Sequence, residues 1–257
     1  MRVLSLCPSI TETLFALGLE PAEGHGTGIV GRTKFCVEPS ARVAALPVVG
    51  GTKDPRLERI LELAPDLVLM NEEENRREDA EALAAAGVAL HTSLPVDVPS
   101  TARALESIGT AVGRPGPAAD LARDLTARAA QIEASLADAA PVRFAYLIWR
   151  GPWMAAGPGT YVDALLKAAG GTNVLGRGPI RYPEVGLASL ADRGIDRVLL
   201  SSEPFPFTAR HLDEVRAALG SEQPAIDLVD GRLLSWHGVS TLDGLPYARR
   251  VLAGGDA

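Results

Sequence analysis

The chain reads as an α/β protein of two lobes, and three observations carry that reading. The first is a repeated module. Leu57-Glu58-Arg59-Ile60-Leu61-Glu62-Leu63-Ala64-Pro65-Asp66-Leu67-Val68-Leu69-Met70 lines up without gaps on Leu187-Ala188-Ser189-Leu190-Ala191-Asp192-Arg193-Gly194-Ile195-Asp196-Arg197-Val198-Leu199-Leu200, about 130 residues later. Each copy is a short amphipathic helix, a turn around Asp66 or Asp196, and an apolar β-run, which is the αβ half of a parallel sheet buried on both faces. The second observation is a shared opening: a strand, a helix with capping-box spacing at its start, and a glycine stop, met once in each half. The third is a long helical stretch that separates the halves. Clefts between lobes bind ligands, so this organisation itself points to a binding protein.

Taken in order, Val3-Leu4-Ser5-Leu6-Cys7 is the first core strand, and Ser9-Ile10-Thr11-Glu12 has the capping-box spacing for a helix from Thr11 to Leu17, stopped by Gly18. Gly28 to Val30 is a strand, then comes the first module copy, then a helix over Glu78 to Ala86 and a strand over Val88 to His91. From about Pro99 to Ala139 the pattern is helical, with one stripe of Ala104, Ile108, Ala111 and Val112 and another of Leu121, Leu125, Ala129, Ile132 and Leu136. Pro115-Gly116-Pro117 predicts a break between the two stripes. The second helix, about Ala118 to Ala139, would span roughly 30 Å, enough to bridge two lobes stiffly. The second half opens with a strand over Phe144 to Trp149, a capping box at Thr160-Tyr161-Val162-Asp163, and a helix from Ala164 to Ala169 stopped by Gly170-Gly171. Strands over Val198 to Leu200, Ile226 to Val229 and Leu233-Leu234, and a closing helix over Leu245 to Leu252, complete the pattern. The resulting organisation is an N-terminal α/β lobe over 1–98, a helical connector over 99–140 and a C-terminal α/β lobe over 141–257.

Composition narrows the function. The 257 residues hold ample core for two modest domains, and 47% of them are apolar. The net charge of −7, with no basic cluster, argues against a nucleic-acid or anionic-membrane surface. No stretch approaches the ~20 apolar residues of a membrane span, so no membrane insertion is expected. The apolar run before Pro8 is too short for a signal peptide, which gives a cytoplasmic expectation, with a periplasmic or extracellular one only if a leader is missing from the sequence. Two cysteines do not make a disulfide framework.

In open parallel sheets, ligands sit beyond the carboxyl ends of the strands. All three tryptophans, and seven of the twelve aromatics of this aromatic-poor chain (5%), follow strands. Trp149, Trp153, Tyr182, Phe205, Phe207 and Trp236 are therefore candidate walls of a cleft, with Phe35 in the first half, because aromatic rings offer large flat contact area. Arg32, Arg150 and Arg181 are candidates for anionic or amide groups on the ligand's periphery. Cys7, Cys36 and His237 are the obvious soft or borderline metal ligands, without the spacing of a metal motif. Cys7, ending a buried strand, reads as an inert small hydrophobe, while Cys36 and His237 sit in loops and are the candidate axial ligands. Glu72-Glu73-Glu74 reads as a solvated run. There is no G-x-S-x-G, no G-x-x-x-x-G-K-[ST] and no G-x-G-x-x-G after a strand.

Leu4-Ser5-Leu6-Cys7-Pro8-Ser9-Ile10-Thr11-Glu12, Gly31-Arg32-Thr33-Lys34-Phe35-Cys36, Val49-Gly50-Gly51, the first module copy, Gly157 to Val174 and Tyr182-Pro183-Glu184-Val185, in this order and spacing, resemble the iron-siderophore and vitamin B12 substrate-binding proteins of ABC importers. The resemblance covers nearly the whole chain. It implies two Rossmann-like lobes joined by a long rigid interdomain helix, with a metal chelate (cobalamin, ferric siderophore or haem) in the cleft, held by Trp, Tyr, Phe and Arg side chains. It also implies one exposed docking glutamate on each lobe for the membrane permease. Glu58 matches the first; at the second the chain has Ala188, so docking would rest on Glu58, with Glu184 a nearby substitute.

The expectation is thus a non-catalytic receptor or carrier for a metal chelate, cobalamin slightly ahead of ferric siderophore or haem, with no cofactor required. Two alternatives accompany it: a component of an ABC importer whose leader is absent from this sequence, and an enzyme acting on a tetrapyrrole or metal centre through Cys36 and His237.

Overall fold

The computed structural model describes residues 1–176, 178–220 and 224–255. The chain divides into two compact units. One takes in Met1–Pro95, Pro99–Asp124 and His237–Ser240; the other takes in Val96–Val98, Leu125–Trp236 and the chain from Thr241 on.

In the first unit, β1 (Arg2–Ser5), α1 (Pro8–Ala16), β2 (Gly28–Arg32), α2 (Ser40–Val43), α3 (Leu57–Glu62), β3 (Leu67–Asn71), α4 (Arg77–Ala85) and β4 (Ala89–Ser93) precede two longer helices, α5 (Val98–Ala111) and α6 (Pro115–Ser135), the second of which passes into the other unit at Leu125. The sheet is parallel throughout, in the order β2-β1-β3-β4. Its strands are apolar at every second position on both faces. Val3, Ile29, Leu67 and Leu69 pack with Ile10 and Leu14 of α1 and Ile108 of α5, while Leu4, Val30, Val68 and Met70 pack with Ile60 of α3 and Leu83 of α4.

The second unit carries β5 (Val142–Trp149), β6 (Met154–Ala155), α7 (Tyr161–Ala168), β7 (Gly171–Asn173), α8 (Leu187–Ala191), β8 (Arg197–Ser201), α9 (Ala209–Leu219), β9 (Ala225–Val229), α10 (Gly231–Ser235) and α11 (Thr241–Leu252). One edge of β5 pairs with β8, which pairs with β9. The other edge is shared: parallel β7 takes Val142 to Phe144, and antiparallel β6 takes Leu147 to Trp149. The parallel order β7-β5-β8-β9 is the permutation found in the first unit.

The module repeat survives as chemistry. Asp66 Oδ2 accepts the Arg2 amide N–H at 2.7 Å, and Asp196 Oδ2 accepts the Arg143 amide N–H at 2.7 Å. The amide of each aspartate donates back to the carbonyl of the same arginine, at 2.8 Å in both copies. Each arginine side chain then bonds the carbonyls that end the module helix: Leu63 and Ala64 in one copy, Arg193 and Gly194 in the other. The turn needs a left-handed residue, which is Gly194 (φ 58°) in one copy and Ala64 (φ 44°) in the other.

Four expectations shift. α1 starts at Pro8 with Cys7 as its N-cap, so Ser9 lies inside the first turn and forms no capping box; proline pre-set for the first helical position decides the start. Thr160 does cap α7, its hydroxyl accepting the Asp163 amide N–H at 3.2 Å, but the helix begins at Tyr161 rather than Ala164. Leu233-Leu234 is helical, not extended, because Asp230 caps α10 by accepting the Arg232 amide N–H at 2.9 Å. The break between the long helices falls before Pro115, which again takes a first helical position. Further on, Pro246 lies inside α11 and has no N–H for the Leu242 carbonyl; Arg128 Nη1 donates to that carbonyl instead, at 2.7 Å.

Candidate functional site

At the carboxyl end of the second unit's sheet, β5 and β8 diverge toward different neighbours, the arrangement that opens a crevice in parallel sheets. An aromatic cluster stands there. Trp149, the last residue of β5, is 42% exposed and meets Phe205 edge-on with ring centres 5.7 Å apart. Phe205 tilts against Phe207 at 4.7 Å, and Trp153 stacks flat on Phe207 at 5.7 Å, their planes 5° apart. His211 touches both phenylalanines by its ring edge. Phe207 is only 6% exposed and belongs to the hydrophobic core, so it forms the floor beneath the other rings rather than a wall.

Trp236 follows α10 and is half-buried. Its indole N–H donates to Glu203 Oε1 at 2.6 Å, and the Ser235 hydroxyl donates to the same oxygen at 3.1 Å. Burial raises the Glu203 carboxyl above its ordinary range, against the downward pull of these bonds and of nearby Arg232. Tyr146 donates from β5 to Ser201 Oγ of β8 at 2.8 Å, and burial pushes its phenol well up, so it stays neutral. Exposed Tyr182 carries Arg181 over its ring at 5.7 Å, and Arg181 Nε donates to the Gly159 carbonyl at 3.0 Å. Arg150 is bound to Glu214 through Nε at 2.9 Å and Nη2 at 3.1 Å, which holds that carboxyl low.

In the first unit, exposed Phe35 lies in the loop after β2, with Lys34 Nζ 5.1 Å from its ring centre. Arg32 is half-buried and donates to the carbonyls of Val43 at 3.0 Å and Thr33 at 3.1 Å, pinning this loop. Cys36 is fully buried. Its sulfur accepts from the Thr11 hydroxyl at 3.1 Å and lies 3.2 Å from Thr33 Oγ1, and burial raises its thiol. His237 stands elsewhere, at the carboxyl ends of β1 and β3. Ser9 Oγ lies 3.3 Å from Nδ1 and 3.2 Å from Nε2, and Asn71 Nδ2 lies 3.0 Å from Nε2. The Asn71 amide is pinned: its oxygen accepts the amide N–H groups of Glu73 and Glu74, and its nitrogen also donates to the Ser93 carbonyl. The nitrogen must therefore face His237, so Nε2 accepts and the neutral ring carries its proton on Nδ1. Burial pulls His237 down to about 4.

Through Ser9, the thiol next to His237 is that of Cys7, 3.3 Å from Ser9 Oγ, and burial pushes that thiol up to about 12. Thiols held this high are poor nucleophiles and poor metal ligands. Among the described residues no three His, Cys, Asp or Glu side chains gather as a metal site, and no helix is long and apolar enough to cross a membrane. Glu58 is exposed in the first turn of α3, Ala188 is exposed at the matching place in α8, and Glu184 is exposed beside β6. Three residues not singled out individually as binding groups matter here: Ser9, Asn71 and Glu203. All three had a signal, because each lies in a segment that follows a strand and so was expected among the cleft lining.

Two α/β units of one strand order, the second with an aromatic and half-open carboxyl end, define a binding protein of the two-lobed α/β class. The chain belongs to the periplasmic binding protein family, whose sequence profile matches residues 3–218. It is 27% identical over 202 residues to the vitamin B12-binding protein of Photorhabdus laumondii, covering 78% of this chain and 70% of that one. Its fold is that of the periplasmic vitamin B12 binding protein BtuF of Vibrio cholerae, with a TM-score of 0.81 at 20% identity over 98% of this chain and 96% of that one. It is also similar to the periplasmic heme-binding protein BhuT in complex with two hemes, with a TM-score of 0.79 at 26% identity over 98% of both chains.

Proposed function

We propose that this protein is a non-catalytic receptor for a metal chelate of the corrinoid, haem or ferric-siderophore kind. The observation that carries the reading is the ring cluster at the carboxyl end of the second sheet, where Trp149 lies open on a floor of Phe205 and Phe207. A broad flat ligand gains from such rings by contact area and edge electrostatics. The chelate brings its metal already coordinated, so the protein supplies walls and hydrogen bonds rather than a ligand set. The similarity to vitamin B12- and haem-binding proteins supports this class of ligand. Contact is assigned to Trp149, Trp153, Phe205, Tyr182 and Trp236 of the second unit. Arg32, Arg150 and Arg181 shape their loops. Cys36 and His237 are not assigned to the metal, since burial and existing hydrogen bonds occupy both.

The test is a titration of the full chain with cyanocobalamin, haem and a ferric hydroxamate siderophore while tryptophan fluorescence is recorded. Saturable quenching by one of them is expected, with affinity reduced at least tenfold in Trp149→Ala, about the cost of a well-packed aromatic anchor. Quenching by none of the three would overturn the reading.

Delivery to an importer permease is the finer reading, and exposed Glu58 is the residue that favours it. Glu58→Ala is expected to abolish ligand-loaded docking while leaving ligand affinity unchanged; docking that persists at full strength would remove Glu58 from that role.

A further inference from the structure

We propose that Glu203 is the specificity-determining residue of this chelate site, favouring ligands whose rim offers N–H donors, such as the primary amides of a corrinoid, over ligands whose rim carries carboxylates, such as the propionates of a porphyrin. The proposal rests on the chelate reading and deepens it. Glu203 stands two residues beyond β8, at the carboxyl end of the sheet, and two residues before Phe205, whose ring meets Trp149. Its side chain is half-buried and held in one orientation. Both anchoring bonds, from Trp236 Nε1 and from Ser235 Oγ, go to Oε1, and Oε2 accepts no hydrogen bond from the described residues. Gly231 at the start of α10 makes room for this arrangement: a Cβ there would come 2.7 Å from Glu203 Cγ and 2.9 Å from its backbone nitrogen. The carboxylate is thus a placed acceptor with one oxygen to offer.

The arginines of the second unit sharpen the choice. Arg150 is engaged by Glu214, and Arg181 donates to the Gly159 carbonyl. Arg232 lies 5.9 Å over the Trp236 ring and faces Asp230 at 3.8 Å. A ligand carboxylate would meet Glu203 with like charge. An amide N–H finds an acceptor already oriented, and a hydrogen bond to a charged acceptor is stronger than one to a neutral acceptor.

The experiment is a pair of equilibrium titrations, cyanocobalamin and haem, on the full chain at one neutral pH, for the native protein, Glu203→Gln and Trp236→Phe. Glu203→Gln keeps the shape and the oxygen that Trp236 bonds but removes the charge. It is expected to weaken cyanocobalamin binding about tenfold and to tighten haem binding, so that the two affinities move in opposite directions. Trp236→Phe removes the anchor but not the charge; it is expected to weaken cyanocobalamin without improving haem. A merely structural Glu203 would shift both ligands the same way. A shift in one direction for both, or no shift in a protein that binds chelate, overturns this inference alone. Absence of any chelate binding by the native protein overturns the chelate reading and this inference with it.

Discussion

His237 shows how much a residue's chemistry depends on its surroundings. As a histidine after a tryptophan it read as a candidate axial metal ligand or a hydrogen-bonding histidine. In the fold it is a buried neutral ring whose Nε2 accepts from Asn71 and whose edge meets Ser9. Desolvation lowers its proton affinity, and the Asn71 NH2 group offers no acceptor to a proton on Nε2. The folded value near 4 lies below the ordinary value near 6.5, so the unfolded chain binds the proton more readily between the two. Stability is therefore full above about pH 6.5 and falls as the pH drops toward 4, by about 3 kcal/mol from this residue. Urea midpoints measured from pH 4 to 8 should show that loss, and His237→Gln should flatten it; an unchanged slope in the variant would contradict the assignment. The aromatics behaved differently. Their positions after strands were legible because strand ends are legible, whereas the division of labour between Phe207 as floor and Trp149 as open surface depends on packing that the sequence does not display.

At the scale of elements, the repeated module was readable in the sequence because helix, turn and strand each leave a local signature. Its strongest content, the pair of aspartates that lock Arg2 and Arg143, was visible only as matched letters. The left-handed turn position differs between copies, and alanine there is strained where glycine is not. Ala64→Gly is expected to raise stability by about 0.5–1 kcal/mol, measured by chemical denaturation; a loss of that size would show that Ala64 carries packing that outweighs its strain. Short elements outside the repeat escaped. α10 follows Asp230 and is too short for helical periodicity, so its two leucines looked like a strand. β7, Gly171–Asn173, has no apolar run and exists because the edge of β5 is there to pair with. Pro246 gives a further test. Arg128→Ala should cost about 1–2 kcal/mol by leaving the Leu242 carbonyl unpaired, and much less when Pro246→Ala restores a helical N–H. Equal costs in both backgrounds would refute the compensation.

At the scale of the molecule, two units with the same parallel order place their chemistry at the same ends of their sheets. The class of protein was legible because the module repeat and the loop composition are global regularities that survive low sequence identity. The selectivity of the site was not, because it turns on which oxygen of Glu203 is engaged and on which arginines already have partners. Those are facts of three-dimensional pairing.

The central claim, that a chelate binds at the carboxyl end of the second unit's sheet, is tested most directly by hydrogen exchange of the full chain with and without saturating cyanocobalamin. The account predicts slowed exchange in the segments around 149–153, 203–207 and 235–236, and unchanged exchange at the opposite end of that sheet, around the turn at 194–196. Protection confined to that turn, or none anywhere, would contradict it.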